Sequence, residues 1–229
     1  MTDRSLGQFC GLARAFEIIG SRWSALIIRD LILGPKRLTD LHETLPRITP
    51  AVLDGRLDEL EAAGVIQRSV SDSDAEVVYE LTGYGRDLEP ILLQLGRWGA
   101  RALGDPRPGD LFSLDMAILA LRSTFRPDHA RDVRASFEVW FGPIVVGVRV
   151  DDGVLTVEEG ELPGADLVIE TPVLKNLMAA ELSPTDALWL GLVEAKGDPS
   201  MLNTFVQLFH IPPAPELPAP ATAEGVTAS

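Results

Sequence analysis

Basic side chains surround a short helical segment early in the chain, and their chemistry is that of phosphate and base recognition. The segment reads RITPAVLDGRLDELEAAGVI over residues 47–66. Arginine can donate two hydrogen bonds to a guanine edge, so Arg56 is the candidate base contact. Lys and Arg also neutralise backbone phosphates, the main source of affinity for nucleic acid. We predict Lys36, Arg37 and Arg47 as phosphate contacts. Arg68 has two alternatives, a DNA contact or an ion pair with Glu80.

The segment that carries Arg56 has the start and stop signals of a helix. Thr49 is a good N-cap, Pro50 suits the first turn, and Gly64 suits a left-handed C-terminal residue. Leucines at 53, 57 and 60 form a narrow inward stripe. The outward positions, which would enter a major groove, are Thr49, Ala51, Val52, Gly55 and Arg56. The alternative is that they are the solvent-exposed face of an ordinary amphipathic helix.

The flanking residues predict the elements that would position this helix. Apolar residues at helical spacing predict helices over 9–19, 22–34 and 37–46. The β-prone runs 65–70 and 77–81, separated by SDSDAE, predict a hairpin. Thr82 then begins a long helix that reaches about Leu103. Short helices, a hairpin and a closing helix together predict a winged helix-turn-helix, with residues 49–64 in the recognition position.

Composition limits the classes of function. The net charge is −14, of which residues 1–104 carry −3 and residues 105–229 carry −11, so the chain as a whole does not favour nucleic acid. No apolar run approaches the length of a membrane span and no signal peptide is evident, which predicts a cytoplasmic protein without a membrane partner. One cysteine and three scattered histidines predict neither a disulfide nor a metal site. No catalytic triad, carboxylate pair or phosphate loop is evident, so we predict no enzyme, no catalytic residues and no cofactor.

The N-terminal half resembles a known family. The stretches FCGLARAFEIIGSRW, GPKRL, ITP, RLDELEAAGVI, YELT and LGRWG are similar to the HxlR-type (MarR-like) winged-helix transcription regulators of bacteria over residues 9–99. The resemblance implies double-stranded DNA as a partner, a palindromic operator, and a homodimer packed through the first and last helices of this half. Leu- and Trp-rich helices independently indicate more apolar surface than one small domain can cover. The alternative is that this stripe packs on the C-terminal half of the same chain.

The recognition helix and the wing of this chain are more acidic than those of the family. Where the family commonly carries basic residues, this chain has Ala51, Asp54 and Asp58 in the helix and three acidic wing residues, Asp72, Asp74 and Glu76. We therefore expect weak non-specific binding and a shallow salt dependence.

In some members of the family a cysteine at the place of Cys10 senses oxidants, and Arg4 and Arg14 could lower the pKa of this thiol. The alternative is a buried, inert cysteine.

The C-terminal half begins after the break LGDPRPGD at residues 103–110. The sequence then predicts a helix over 111–125 and alternating strands over 133–141, 144–150 and 154–159, with a hairpin turn at Asp152-Gly153. The segments ADLVIETP and VEAKGDPSMLNTFVQLF follow. These resemble the sterol-carrier-protein-type lipid-binding domain, which implies an apolar tunnel between sheet and helices. The predicted lining residues are Phe112, Met116, Phe137, Val139, Trp140, Leu174, Met178, Trp189, Phe205 and Phe209.

The predicted fold class is multidomain α+β, an N-terminal winged helix-turn-helix followed by an antiparallel sheet covered by helices. The predicted domains are 1–104 for DNA binding and dimerisation and 105–211 for ligand binding, with 212–229 a disordered, proline- and alanine-rich tail. The predicted function is an HxlR-type regulator that binds DNA as a homodimer and is controlled by an apolar small-molecule effector. The alternative is a carrier of hydrophobic ligands that has lost DNA binding.

Overall fold

The computed structural model describes residues 5–70 and 76–213. Arg4, the predicted hairpin tip with Asp72 and Asp74, and the predicted disordered tail from residue 214 onward lie outside the described residues.

The N-terminal half consists of short helices around a small antiparallel sheet. Its elements are α1 (Gly11–Ile19), α2 (Ser24–Leu31), β1 (Lys36–Arg37), α3 (Leu38–Thr44), α4 (Pro50–Ala62), β2 (Ile66–Val70), β3 (Val77–Leu81), α5 (Gly83–Arg86) and α6 (Glu89–Ala100). Leu53, Leu57 and Leu60 of α4 are fully buried against α2 and α3 in one hydrophobic cluster. The sheet order is β1-β3-β2, and Lys36 of β1 lies opposite Tyr79 of β3.

The long helix predicted from Thr82 to Leu103 is wrong, because two helices occupy this stretch. The Thr82 hydroxyl accepts a hydrogen bond from the Gly85 N–H at 3.0 Å and so caps only the single turn of α5. Pro90 then lies in the first turn of α6, where its missing N–H leaves no hydrogen bond unmade. The Glu89-Pro90 pair was the sequence signal for this break.

The C-terminal half is a mixed sheet with helices on one face. Its elements are α7 (Leu114–Thr124), a 3₁₀ turn (Pro127–His129), β4 (Arg134–Phe141), β5 (Ile144–Asp151), β6 (Val154–Glu159), β7 (Leu167–Glu170), α8 (Leu174–Met178), α9 (Pro184–Trp189), β8 (Glu194–Gly197) and α10 (Met201–Leu208). Asp152 and Gly153 both have positive φ in the turn between β5 and β6, as predicted for a tight hairpin. The strand order is β6-β5-β4-β7-β8.

The prediction of an antiparallel sheet is wrong at its centre, where β7 runs parallel to β4. Residues 160–166 carry the chain from β6 across β5 and β4 to reach this position. Leu162 in this crossover is buried, and its N–H donates to the Glu138 carboxylate at 2.8 Å. A side chain at Gly147 would press against Leu162, so the glycine leaves room for the crossing segment. The parallel direction of β7 is thus associated with contacts between residues far apart in sequence.

The sheet face opposite the Leu162 crossover carries the second hydrophobic core. Phe137 and Val139 of β4 are fully buried with Phe205 of α10, and the rings of Phe137 and Phe205 meet edge to face at 5.2 Å. The two halves have separate buried clusters, and α6 and α7 lie between them. Glu89 of α6 forms an ion pair with Arg122 of α7. The domain limits at 104/105 and 211/212 stay predictions.

Candidate nucleic-acid interface and C-terminal pockets

The outer face of α4 is uncovered in the protomer. Thr49, Ala51 and Val52 are exposed at its start, while Gly55 and Arg56 are half-buried. Thr49 has the extended backbone of an N-cap, but its hydroxyl makes no capping hydrogen bond and is therefore not committed to the helix. Three of the five predicted outward positions are therefore exposed, and their contact with DNA stays a prediction.

Most of the predicted DNA-contacting cations form ion pairs with carboxylates of the same chain. Arg56 pairs with Glu59, three residues ahead in α4. The remaining pairs are Lys36 with Asp115 (2.7 Å), Arg37 with Asp40 (3.1 Å) and Glu76 (3.3 Å), and Arg68 with Asp58 and Glu61 (3.2 Å to Glu61). The Lys36 pair crosses between the halves, since Asp115 belongs to α7.

Arg68 does not pair with Glu80, so that alternative is wrong. Glu80 accepts a hydrogen bond from the Gln67 amide at 2.9 Å instead. The Arg68 guanidinium lies over the Tyr79 ring, 5.5 Å from its centroid, and faces the carboxylates at the end of α4. This position holds the base of the wing against the recognition helix.

Arg47 differs from the other cations. It is exposed in the turn between α3 and α4, and no ion pair joins it to any residue within 5–70 or 76–213. A guanidinium beside the start of α4 adds to the positive end of the helix dipole, which favours an anion there.

Cys10 lies at the start of α1 and is exposed, so the alternative of a buried cysteine is wrong. The backbone N–H groups of Ala13 and Leu12 lower the pKa of its thiol below the ordinary value, although neither completes a capping hydrogen bond of normal geometry. Arg14, the cation expected to have this effect, pairs with Glu17 at 2.9 Å. The open helix start is therefore the physical cause of the shift.

Large apolar side chains are exposed on two helices of the N-terminal half. They are Phe9, just before α1, Leu12 and Phe16 of α1, and Ile91, Leu95 and Trp98 of α6. We call this set the α1/α6 stripe. No residue of α6 is buried in the protomer, although the helix carries Ile, Leu and Trp at helical spacing. The part of the C-terminal half that the structure describes, up to residue 213, leaves these six side chains exposed, although α6 itself lies beside α7, so the alternative does not hold for the stripe within those residues.

The side chains predicted to line one apolar tunnel lie in three different environments. Phe137, Val139, Leu174, Met178, Phe205 and Phe209 are buried in the solid C-terminal core. Trp140 points to the other sheet face, where its indole N–H donates to Glu138 at 2.8 Å. Phe112 is exposed beside Phe141, Met116 is half-buried in α7, and Trp189 is exposed in α9.

Two pockets lie in the C-terminal half, and of the predicted tunnel-lining residues Trp140 borders one of them. One, of about 150 Å³, is lined on the outer sheet face by Glu138, Trp140, Val168, Glu170, Glu194 and Lys196. The other, of about 220 Å³, lies between the α8–α9 connection and α10 and is lined by Leu177, Ala180, Leu182, Ser183, Pro184, Val206 and His210. We call the second one the α10 pocket. It is the more apolar, and sequence reasoning named none of its residues.

Comparison with known proteins identifies the N-terminal half. The HxlR-like helix-turn-helix family matches residues 18–106. The uncharacterized HTH-type transcriptional regulator YtcD of Bacillus subtilis (strain 168) is 43% identical over 99 residues, which cover 43% of this chain and 78% of that protein. The chain belongs to the HxlR-like family. The HTH-type transcriptional regulator YodB of the same strain is 36% identical over 97 residues, covering 42% of this chain and 84% of YodB.

Its relatives in the HxlR-like family are transcription regulators. A solved structure, the redox regulator HypR in its reduced form, is 34% identical with a TM-score of 0.39 and covers 42% of this chain and 95% of its own. The family match ends at residue 106, so the mixed-sheet half lies outside it.

Among residues 5–70 and 76–213, no group of His, Cys, Asp or Glu side chains is placed to hold a metal ion. In the same ranges no helix has the length and apolarity required to cross a bilayer.

Proposed function

We propose that this protein is a homodimeric, DNA-binding regulator of the HxlR type that inserts α4 of each copy into the major groove of a palindromic operator. Its C-terminal half takes an apolar small-molecule effector. The observation that carries the proposal is α4 itself, which buries a leucine stripe and leaves its other side exposed. Beside it lies Arg47, which has no ion pair within residues 5–70 and 76–213.

The paired cations are compatible with this function. Ion pairs near the surface contribute only about 0–1 kcal/mol each, so a phosphate can replace a carboxylate as the partner of Lys36, Arg37 or Arg68 at small energetic expense. Each exchange still leaves a carboxylate near the DNA. The proposal therefore includes the expected low non-specific affinity and shallow salt dependence, with specific contacts near Arg56 providing discrimination.

The α1/α6 stripe supports the homodimer. Exposed apolar side chains that cluster on helices often mark a surface that a partner covers. A second copy, packed about a two-fold axis, would cover the stripe with the same residues and bring two α4 helices to one side of the assembly. Two such helices must be about 34 Å apart to enter successive major grooves.

The α10 pocket is the proposed effector site. Six of the positions predicted for this role are buried in the hydrophobic core, whereas this pocket is open between α8, α9 and α10. The sterol-carrier resemblance fits a sheet covered by helices and remains part of this proposal.

Selection of DNA from a genomic library by the purified full-length protein tests the function, followed by fluorescence anisotropy on a selected fragment. Arg47→Ala should weaken binding about 5- to 10-fold and reduce the slope of log K against log salt by about one. Arg134→Ala is the matched control, since Arg134 is exposed on β4 and its removal changes the net charge equally. Equal effects of both variants would contradict the placement of DNA on α4. Failure to select any DNA at low salt would overturn regulation and leave the carrier function.

A further inference from the structure

Four cationic or protonatable side chains meet where the two halves join. Arg97 comes from α6, Arg126 and His129 follow α7, and His210 follows α10. The backbone fixes two of these segments together, since the Arg126 N–H donates to the Leu208 carbonyl at 2.8 Å and the His210 N–H donates to the Thr124 carbonyl at 2.9 Å. The Arg126 guanidinium also contacts the His129 ring. We call these four residues the junction cluster.

The end of α6 is held against the same region. Arg101, one turn after Arg97, donates from its Nε to the Pro213 carbonyl at 2.9 Å. Ala100 packs on the C-terminal core. Arg97 thus lies on the side of α6 that faces the C-terminal half, opposite the apolar stripe.

The junction cluster differs from most basic side chains of the C-terminal half in its lack of ion pairs with carboxylates of the described residues. In this strongly acidic half, Arg122, Arg131, Arg134, Arg149 and Lys175 each pair with an Asp or Glu. Across the described ranges, no carboxylate forms an ion pair with Arg97, Arg126 or His210. The Nε atom of Arg97 is also buried and has no hydrogen-bond partner there. Buried donors normally have acceptors, so these groups are arranged as for an anion supplied from outside the protein.

His210 connects the cluster to the α10 pocket, because it lines that pocket. The pKa of His210 is lowered by burial and by the positive charges of Arg126, Arg97 and His129, while a hydrogen bond to the Met178 backbone acts in the other direction. The Arg126 guanidinium, held beside His210 by the Arg126–Leu208 and His210–Thr124 backbone hydrogen bonds, places positive charge near the rim of this apolar pocket. A pocket with an apolar interior and a cationic rim is complementary to an amphipathic anion.

The size of the pocket limits the apolar part. About 220 Å³ holds roughly seven or eight groups of the size of a water molecule, at about 30 Å³ each. A linear chain of about eight carbons would fill it.

From these contacts we propose that the α10 pocket binds a medium-chain amphipathic anion, with its carboxylate or phosphate head at Arg97, Arg126 and His210 and its chain against Leu177, Leu182 and Val206. This inference deepens the proposed function, in which the α10 pocket is the effector site. The proposed function requires only an apolar effector, and this inference adds that the effector carries a negatively charged head group.

Isothermal titration of the full-length protein without DNA tests the site, using octanoate, octyl phosphate and the uncharged octanol as probes. At least one of the two anions should bind at least about tenfold more tightly than octanol, because charge-assisted hydrogen bonds are stronger than neutral ones. Arg126→Gln should weaken the preferred anion about tenfold and change octanol binding less than about twofold. Arg131→Gln is the matched control, since Arg131 is exposed nearby and pairs with Asp128.

The outcomes separate the two proposals. Equal binding of octanol and both anions, or an anion affinity unaffected by Arg126→Gln, overturns the inference. Arg97→Gln, checked for a native melting transition, gives a second test from the other half of the chain. Anion binding by a protein that selects no DNA would sustain this site and refute regulation, whereas DNA binding without anion binding would do the reverse.

Discussion

Replacement of Trp98 by alanine is the sharpest test of the homodimer. Ile91, Leu95 and Trp98 lie on one side of α6 and are all more than half exposed in the protomer, Trp98 by 67 %. The substitution removes the largest apolar group of the α1/α6 stripe. Since no residue of α6 is buried, it removes few contacts within the protomer.

The expected effect follows from the area of the ring. An aromatic side chain of about 200 Å² that is two-thirds exposed offers about 130 Å² in each copy. If the interface covers half of that area in each copy, a dimer buries about 130 Å² in total, or about 3 kcal/mol at roughly 25 cal/mol per Å². A loss of about 3 kcal/mol raises the dissociation constant of the dimer by about 100- to 200-fold.

Sedimentation velocity over a dilution series measures this constant directly. The matched control is Trp189→Ala, since Trp189 is 84 % exposed but lies in α9, away from the stripe. Thermal melting by circular dichroism establishes that both variants keep the native fold. A monomeric wild-type protein, or dissociation constants for Trp98→Ala and wild type within about threefold of each other, would refute the reasoning. So would a dimer that Trp189→Ala dissociates.

Two other features give further expected outcomes. Asp115→Asn releases Lys36 from its 2.7 Å ion pair. Because such a pair contributes up to about 1 kcal/mol, the substitution should raise the affinity for a selected DNA about two- to fivefold, measured by fluorescence anisotropy. Asp128→Asn removes the same charge at an exposed site and should change the DNA affinity less than about twofold. The pKa of the Cys10 thiol is lowered by N–H groups at the start of α1, Ala13 first, so more thiolate is present at neutral pH. The rate at which Cys10 is alkylated should therefore begin to rise at a lower pH in the folded protein than in the protein unfolded by guanidinium. Identical pH profiles of the two states would contradict the lowered pKa.

Local signals in the sequence predicted the N-terminal half well. Thr49 and Pro50 mark the start of α4, Gly64 with positive φ marks its end, and the leucine spacing identifies the inward face. These features depend on neighbours within a few residues, which is why they can be read from the chain. The same holds for the hairpin at Asp152-Gly153.

Features that depend on distant residues were not predictable in this way. The parallel pairing of β7 with β4 results from a crossover anchored on Glu138, and an alternating strand pattern is the same for either direction. Likewise, apolar residues such as Phe205 carry no sign of whether they border a cavity or fill a core. The pairing of Lys36 with Asp115 joins residues far apart in sequence and has no local signal.

The placement of α6 gives the proposed regulator a physical route from effector to DNA. One side of this helix carries the exposed Leu95 and Trp98, which would meet the partner copy in the proposed homodimer. The other side carries Glu89, which pairs with Arg122, and Arg97. An anion held at Arg97 would therefore act on the helix that sets the relation between the two copies. In the proposed homodimer both α4 helices must fit grooves about 34 Å apart. A small change in the relative position of the two copies would therefore alter the DNA affinity. Such coupling requires that the anion bind the DNA-competent and DNA-incompetent dimers with different affinities, and by reciprocity operator DNA must then change the affinity for the anion by the same factor.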